Sequence, residues 1–232
     1  MSSMNITMVV ARKEIKGIIK NKGLLFGSLW FGPLFGIIFS SKIYSLDNST
    51  FSMALMAGVL TGYMFSGQVF LREKQERIIE TLLCTPLSLK SIWFGKVVGV
   101  SIPAYMISLL TVVLITIVSN LASESFLFPS VAILIHILAA VPFFIASTIS
   151  LMGYCQFLFG MRENRFVSYL VMMGLLPFIF PNIIGSIIQG NVSFVVSWVE
   201  VLMLLFVSLL LLSITTYFSR FLSKEKIITT IS

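Results

Sequence analysis

Long apolar stretches alternate with short polar segments along the whole chain. An apolar stretch of about 20 residues is long enough to cross the hydrocarbon core of a bilayer as a helix. Six stretches meet or approach this length, which predicts an all-α membrane protein with six transmembrane helices. The predicted spans are Leu24–Ser41, Phe51–Leu71, Ile92–Leu121, Phe128–Gly160, Phe166–Pro181 and Val195–Phe218.

The composition agrees with this pattern, since 57% of the residues are hydrophobic and only 11% are charged. A soluble domain of this size needs a more polar surface. The net charge of +7 does not indicate nucleic-acid binding, because the basic residues lie beside the apolar spans. We therefore expect the lipid bilayer, and no nucleic acid, as a partner.

The basic residues are divided unequally between the connections. Of the 16 Lys and Arg residues, 15 lie before span one, between spans two and three, between spans four and five, or after span six. Only Lys42 lies on the other side. Basic connections stay in the cytoplasm. The division predicts a multi-pass protein of the plasma membrane with both termini cytoplasmic.

Residues 1–23 form a second kind of segment. Cations occupy most of its helical circumference, and apolar residues share one face, namely Met8, Ala11, Ile15, Ile18 and Ile19. This predicts an amphipathic interfacial helix on the cytoplasmic membrane surface, with its cations near anionic headgroups. The alternative is a generic basic anchor that only orients the first span.

The connection at residues 178–198 is apolar but contains Pro181, Gly185 and Gly190, which interrupt helices. Backbone groups in such a segment must be satisfied by protein or by a polar cavity. We expect a re-entrant segment in the outer leaflet.

The most charged part of the chain is REKQERIIETLLCTP, residues 72–86. Glu73 with Arg77, and Arg72 with Glu76, have the spacing of helical ion pairs. The final Thr-Pro ends the helix, and Ser88 is suited to cap the next one. Apolar residues form one stripe, consisting of Ile78, Ile79, Leu82 and Leu83. The segment therefore predicts a short amphipathic helix, which either binds another protein or merely orients the spans.

EKQERIIETLLCTPLSLKSIWFGK resembles the cytoplasmic loop of ABC-2 type transporter permeases. ARKEIKGIIKNKGLLF is similar to their N-terminal interfacial helix, and STISLMGYCQFLFGMRENRFVSYLVMMGLLPFIFP to their fourth and fifth spans. The resemblance extends in order over nearly the whole chain, which we expect to form one transmembrane domain, residues 1–232. One departure is Arg77-Ile78, where many relatives have Gly-Thr.

The resemblance implies the permease subunit of an ATP-driven exporter, which forms its pathway as a dimer with a second copy or a paralogue. Residues 72–86 would be the coupling helix, which docks on a separate nucleotide-binding ATPase subunit. The expected ATPase contacts are Glu76, Ile78, Ile79, Glu80, Leu82, Leu83 and Pro86. The chain has no P-loop pattern, so ATP and Mg²⁺ are expected on the partner and no cofactor or enzymatic site in this chain.

Two ionisable residues are candidates for the translocation pathway. His136 is expected near the outer part of span four, and Glu200 near the outer part of span six. Ionisable groups within spans mark functional sites more often than other residues, although both can equally be interfacial or hydrogen-bonded to a neighbouring helix. A secondary transporter and a membrane-embedded enzyme remain alternatives, but neither internal repeats nor a catalytic cluster is evident.

Overall fold

The structure, a computed structural model, describes residues 3–40, 46–76, 88–122, 128–159, 169, 171–174, 177 and 196–221. No described residue lies in a β-strand. Four of the helices in this part of the chain, α3 to α6, are long and apolar enough to cross a membrane, which confirms the all-helical class. The helices are α1 (Ser3–Lys20), α2 (Lys22–Ser40), α3 (Leu46–Gln75), α4 (Leu89–Ala122), α5 (Val131–Leu158) and α6 (Trp198–Phe218).

The predicted spans and the helices overlap, but their ends differ. Helix α2 covers the first predicted span as far as Ser40, whereas most of the fifth span and residues 178–195 lie outside the described residues. Helix α3 runs without interruption from the second span through Gln75. The sequence boundary at Arg72 therefore does not separate two helices.

Residues 46–50 lie between the predicted spans one and two, which makes them part of an outer connection, and this prediction is wrong, because they form the first turn of α3. Asp47 lies in this turn, where a carboxylate is favourable, and its Oδ1 accepts a hydrogen bond from the backbone N–H of Ser130 (3.2 Å). Thr50 Oγ1 donates to the Leu46 carbonyl (2.7 Å). The polar side chains are thus buried against the bundle instead of facing solvent.

Helix α4 is the centre of the bundle and packs against α1, α2, α3 and α5, while α6 packs mainly on α5. Interhelical hydrogen bonds supplement this apolar packing, as in other membrane bundles. Ser108 Oγ of α4 donates to the Ala54 carbonyl of α3 (2.6 Å), and Ser150 Oγ of α5 donates to Thr215 Oγ1 of α6 (2.7 Å).

Two helices each contain one wide π-helical turn, at Gly67–Leu71 in α3 and His136–Ala140 in α5. Such a turn shifts the backbone hydrogen bonds, which makes a carbonyl available to an outside donor. In both turns the donor comes from α4. Lys96 Nζ donates to the Val69 carbonyl (3.0 Å), and Tyr105 Oη donates to the Ile137 carbonyl (3.1 Å).

Two glycines of α4 allow α1 to approach its backbone closely. A Cβ on Gly95 would lie 2.9 Å from the Thr7 carbonyl oxygen, and a Cβ on Gly99 would lie 3.0 Å from the Ala11 carbonyl oxygen. Small residues four apart are a common means of close helix packing. This contact buries the Ala11 and Ile18 side chains of α1.

We predict that Gly99→Ala destabilises the protein by about 1–3 kcal/mol, because the new Cβ overpacks a backbone contact. The matched control is Gly17→Ala in α1, where an added Cβ has nothing within 4 Å. There the gain in helix propensity should stabilise the protein by up to about 1 kcal/mol. Thermal unfolding in detergent micelles measures both; equal shifts would contradict close α1–α4 packing.

Candidate functional site

A buried charge network joins α1, the C-terminal end of α3 and the N-terminal part of α4. We call this end of the helix bundle its basic end. The Lys96 side chain is fully buried, and its Nζ donates to Glu73 Oε2 (2.5 Å) and Glu14 Oε1 (3.2 Å) as well as to the Val69 carbonyl. Lys13 Nζ donates to Glu73 Oε1 (3.0 Å) and lies 3.5 Å from Glu14 Oε1. The lysine network, as we name these four residues Lys13, Glu14, Glu73 and Lys96, therefore balances two cations with two carboxylates.

Local structure explains how these residues meet. Glu14 lies on the same face of α1 as Ala11 and Ile18, which packs against the glycines of α4. Lys96 directly follows the first of those glycines. Glu73 comes just after the π turn of α3, and because such a turn takes up about one extra residue, it changes which side chains of the following turn face the bundle.

The electrostatics of the network are those of a compensated buried site. Removing a charge from water is costly, and only close partners with hydrogen bonds offset the cost. Lys96 Nζ also lies 5.7 Å from the centroid of the Phe70 ring, a cation–π distance. Lys13 is half exposed; burial lowers its pKa, but the hydrogen bond to Glu73 and the attraction of both carboxylates outweigh this, so its pKa is raised.

A second buried lysine ties the end of α3 to α5. Lys74 is 1% exposed, and its Nζ donates to the carbonyls of Phe159 (2.7 Å), Phe157 (3.4 Å) and Gln156 (3.5 Å). A cation at a helix C-terminus satisfies carbonyls that have no helical partner and is favoured by the helix dipole. The adjacent residues Glu73 and Lys74 of α3 therefore bind different helices: Glu73 binds α1 and α4, and Lys74 binds the end of α5.

The expected ATPase-contact residues are almost all beyond the described residues. Glu76 is described, and its exposed carboxylate accepts a hydrogen bond from Arg72 Nε (2.7 Å), the helical pair that the spacing predicts. The rest of that set, Ile78, Ile79, Glu80, Leu82, Leu83 and Pro86, lies outside the described residues.

The cap predicted at the start of α4 is confirmed, since Ser88 Oγ accepts from the Ser91 backbone N–H (3.2 Å). Glu73, which the helical spacing would pair with Arg77, is buried and binds Lys96 and Lys13. Its carboxylate turns inward because Lys96 requires a buried anion.

The two pathway candidates occupy different environments. His136 is fully buried in the π turn of α5, where its ring stacks on Phe51 at 4.2 Å and its Nε2 lies 3.3 Å from the Phe51 carbonyl oxygen. Glu200 lies in the first turn of α6, and its Oε2 accepts a hydrogen bond from the Ser197 backbone N–H (2.8 Å). Ser197 Oγ in turn accepts from the Val199 N–H, so Ser197 and Glu200 form a capping box. The structure does not bring His136 and Glu200 together with the lysine network.

Sequence reasoning missed Glu14, Lys74 and Lys96 as site residues. Lys74 and Lys96 count there only as basic residues of the cytoplasmic side and as parts of the stretch that resembles the family loop, and Glu14 has no role of its own. A usable signal was present: Gly95 and Gly99 flank Lys96 with small-residue spacing in a segment about to enter the membrane, where a lysine needs a partner.

We predict that Lys96→Met destabilises the protein by about 3–5 kcal/mol, because it removes the buried cation and leaves two buried carboxylates with only the half-exposed Lys13 as a partner. Neutralising those carboxylates as well, in Lys96→Met combined with Glu14→Gln and Glu73→Gln, should recover most of the loss. Denaturation in detergent micelles measures the free energy of unfolding of each variant.

The control for these variants is Arg72→Gln, which removes an exposed ion pair and should cost at most about 1 kcal/mol. If the triple variant were no more stable than Lys96→Met alone, unpaired charge would not be the cause of the loss.

The site lies within the part of the chain that resembles known proteins. A family model described as ABC-2 type transporter matches residues 6–152, which include the whole lysine network and all of α3 and α4. No curated protein and no solved structure matches significantly. The family match covers more than half of the chain and agrees with its apolar helices. The chain is therefore a multi-pass membrane protein of the ABC-2 type transporter family.

Proposed function

We propose that this chain is the permease subunit of an ATP-driven ABC exporter. It forms the translocation pathway as a dimer, with a second copy or a paralogue, and pairs with a separate nucleotide-binding ATPase subunit that holds ATP and Mg²⁺. Family membership supports the permease assignment. The observation that carries ATP coupling is the lysine network, which fixes both ends of residues 76–88 to the same part of the bundle.

The proposal includes a membrane arrangement. Six spans cross the plasma membrane, both termini are cytoplasmic, and residues 178–198 form a re-entrant segment on the outer side. Helix α1 lies on the cytoplasmic surface. Its free side supports this position, because it exposes the apolar Met8, Val9 and Ile19 beside the cations Arg12 and Lys16, a combination suited to anionic headgroups.

Transmission of force follows from how the coupling segment is held. At its entry, Glu73 and Lys74 bind α4, α1 and the end of α5. At its exit, Ser88 caps the start of α4, and α4 carries Lys96 about two turns later. A displacement of the segment by the ATPase would therefore be transmitted to α3 and α4 together.

A cleft of about 140 Å³ lies beside the network, between α1 and the end of α3, and its lining includes Gly17, Gln68, Arg72 and Glu76. It is polar and open at the entry of the coupling segment. We assign it to the rim of the ATPase contact, where charged groups set register and association rate.

His136 and Glu200 remain pathway candidates, and for Glu200 the capping box supplies a structural alternative.

The apolar stripe is the proposed anchor, so charges there should abolish coupling. The double variant Ile79→Asp and Leu83→Asp should weaken association with the ATPase at least about tenfold, since a buried Leu or Ile contributes about 1.5–3 kcal/mol. ATPase subunit that co-purifies with the tagged permease, and its ATP hydrolysis, measure the effect. The control is Phe128→Asp, an exposed apolar position in the connection before α5. Undiminished ATPase binding by the double variant would exclude this stripe as the contact.

A further inference from the structure

An apolar groove runs between α4, α5 and α6, away from the lysine network. Its volume is about 520 Å³, within the range of small-molecule sites. Its lining includes Trp93, Val97 and Ile102 of α4, Ala146 of α5, and Leu212 and Thr216 of α6.

The groove offers an apolar surface with its hydroxyl groups already engaged. Ser101 Oγ donates to the Val97 carbonyl (2.7 Å), Ser150 Oγ to Thr215 Oγ1 (2.7 Å), and Thr216 Oγ1 to the Ser213 carbonyl (2.9 Å). The walls are exposed aromatic and aliphatic side chains such as Phe94 and Phe143. A hydrocarbon chain suits this lining, and a polar solute does not.

The length of the groove corresponds to one leaflet. Trp93 and Ile102 lie nine residues apart on α4, which is about 14 Å along a helix. This length is close to that of one leaflet, which is half of a hydrocarbon core about 30 Å thick. The end of the groove at Trp93 and Thr216 is the basic end of the bundle.

Two exposed cations flank that end. Lys90 precedes Trp93 by three residues on α4, and Arg220 follows Thr216 by four residues beyond the last turn of α6. Residues at these spacings lie on the same side of a helix. The Arg220 guanidinium lies 5.9 Å from the centroid of the Tyr217 ring. Helix α4 carries no acidic residue, so no carboxylate of α4 competes for these cations.

We propose that the groove binds an anionic phospholipid from the leaflet at the basic end. One acyl chain fills the groove, and the phosphate lies between Lys90 and Arg220. A second copy of the chain in this groove would instead exclude lipid from it.

Trp93 provides a probe of this site. The chain has three tryptophans, and Trp30→Phe with Trp198→Phe leaves Trp93 alone. The single-tryptophan protein is reconstituted in vesicles with brominated phosphatidylglycerol or brominated phosphatidylcholine, whose bromine atoms quench nearby indole fluorescence. With two cations at the mouth, we expect the anionic lipid to be preferred about fivefold to tenfold.

Two sets of variants test the binding of the phosphate and the binding of the acyl chain separately. Lys90→Gln with Arg220→Gln should reduce the preference to about one, whereas the control pair Lys22→Gln and Arg72→Gln, exposed cations on α2 and α3, should leave it unchanged. Ala146→Phe should fill the groove and reduce quenching by both lipids. Circular dichroism checks the fold of each variant, and the exposed cation pair keeps the test decisive if Ala146→Phe misfolds.

Two results would overturn the proposal. Equal quenching by the two lipids in the protein with both cations would exclude an anionic site. Absence of quenching by either lipid would show that protein covers the groove, from this chain or from a second copy.

Discussion

The fold depends on one constraint, which is that the Lys96 ammonium group is buried and must be neutralised. The nearest carboxylates available come from α1 and from the last turn of α3, so both elements are held against α4. Because burying an unpaired cation is costly, the helices must be arranged so that the carboxylates of α1 and α3 reach Lys96. An apolar side chain at this position would remove the ion pairs that hold Glu14 and Glu73 against α4.

The same helix also stabilises the two irregular turns of the bundle. Each π turn provides a carbonyl that accepts from an α4 side chain, Lys96 in one case and Tyr105 in the other. Wide turns of this kind are common at functional sites, and here they reorient the residues that follow. Glu73 and Lys74 thereby face inward at the point where the proposed coupling segment begins. The π turn of α3 and the buried lysine network are therefore connected through Lys96.

The apolar pattern was sufficient to predict helices α2 to α6, because long apolar runs admit few alternatives in a membrane. Ser88 could be predicted as a cap because capping is local in sequence. The lysine network could not, since Lys96 is 23 residues from Glu73 and 82 from Glu14, and no periodicity links them. The helical start at Leu46 was missed for a similar reason: the polar residues that follow it resemble a loop until their burial against other helices is known.

Under the proposed function, α1, the end of α3 and the start of α4 move as one body when the proposed ATPase subunit acts on this chain. Spin labels at the exposed Lys16, Gln75 and Lys90 report the three distances between these elements by double electron–electron resonance. We expect these distances to stay constant between the nucleotide-free and ATP-bound complex, and their distributions to broaden when Lys96 is replaced by Met. A distance between Lys16 and Lys90 that changes with nucleotide in the protein carrying Lys96 would contradict it.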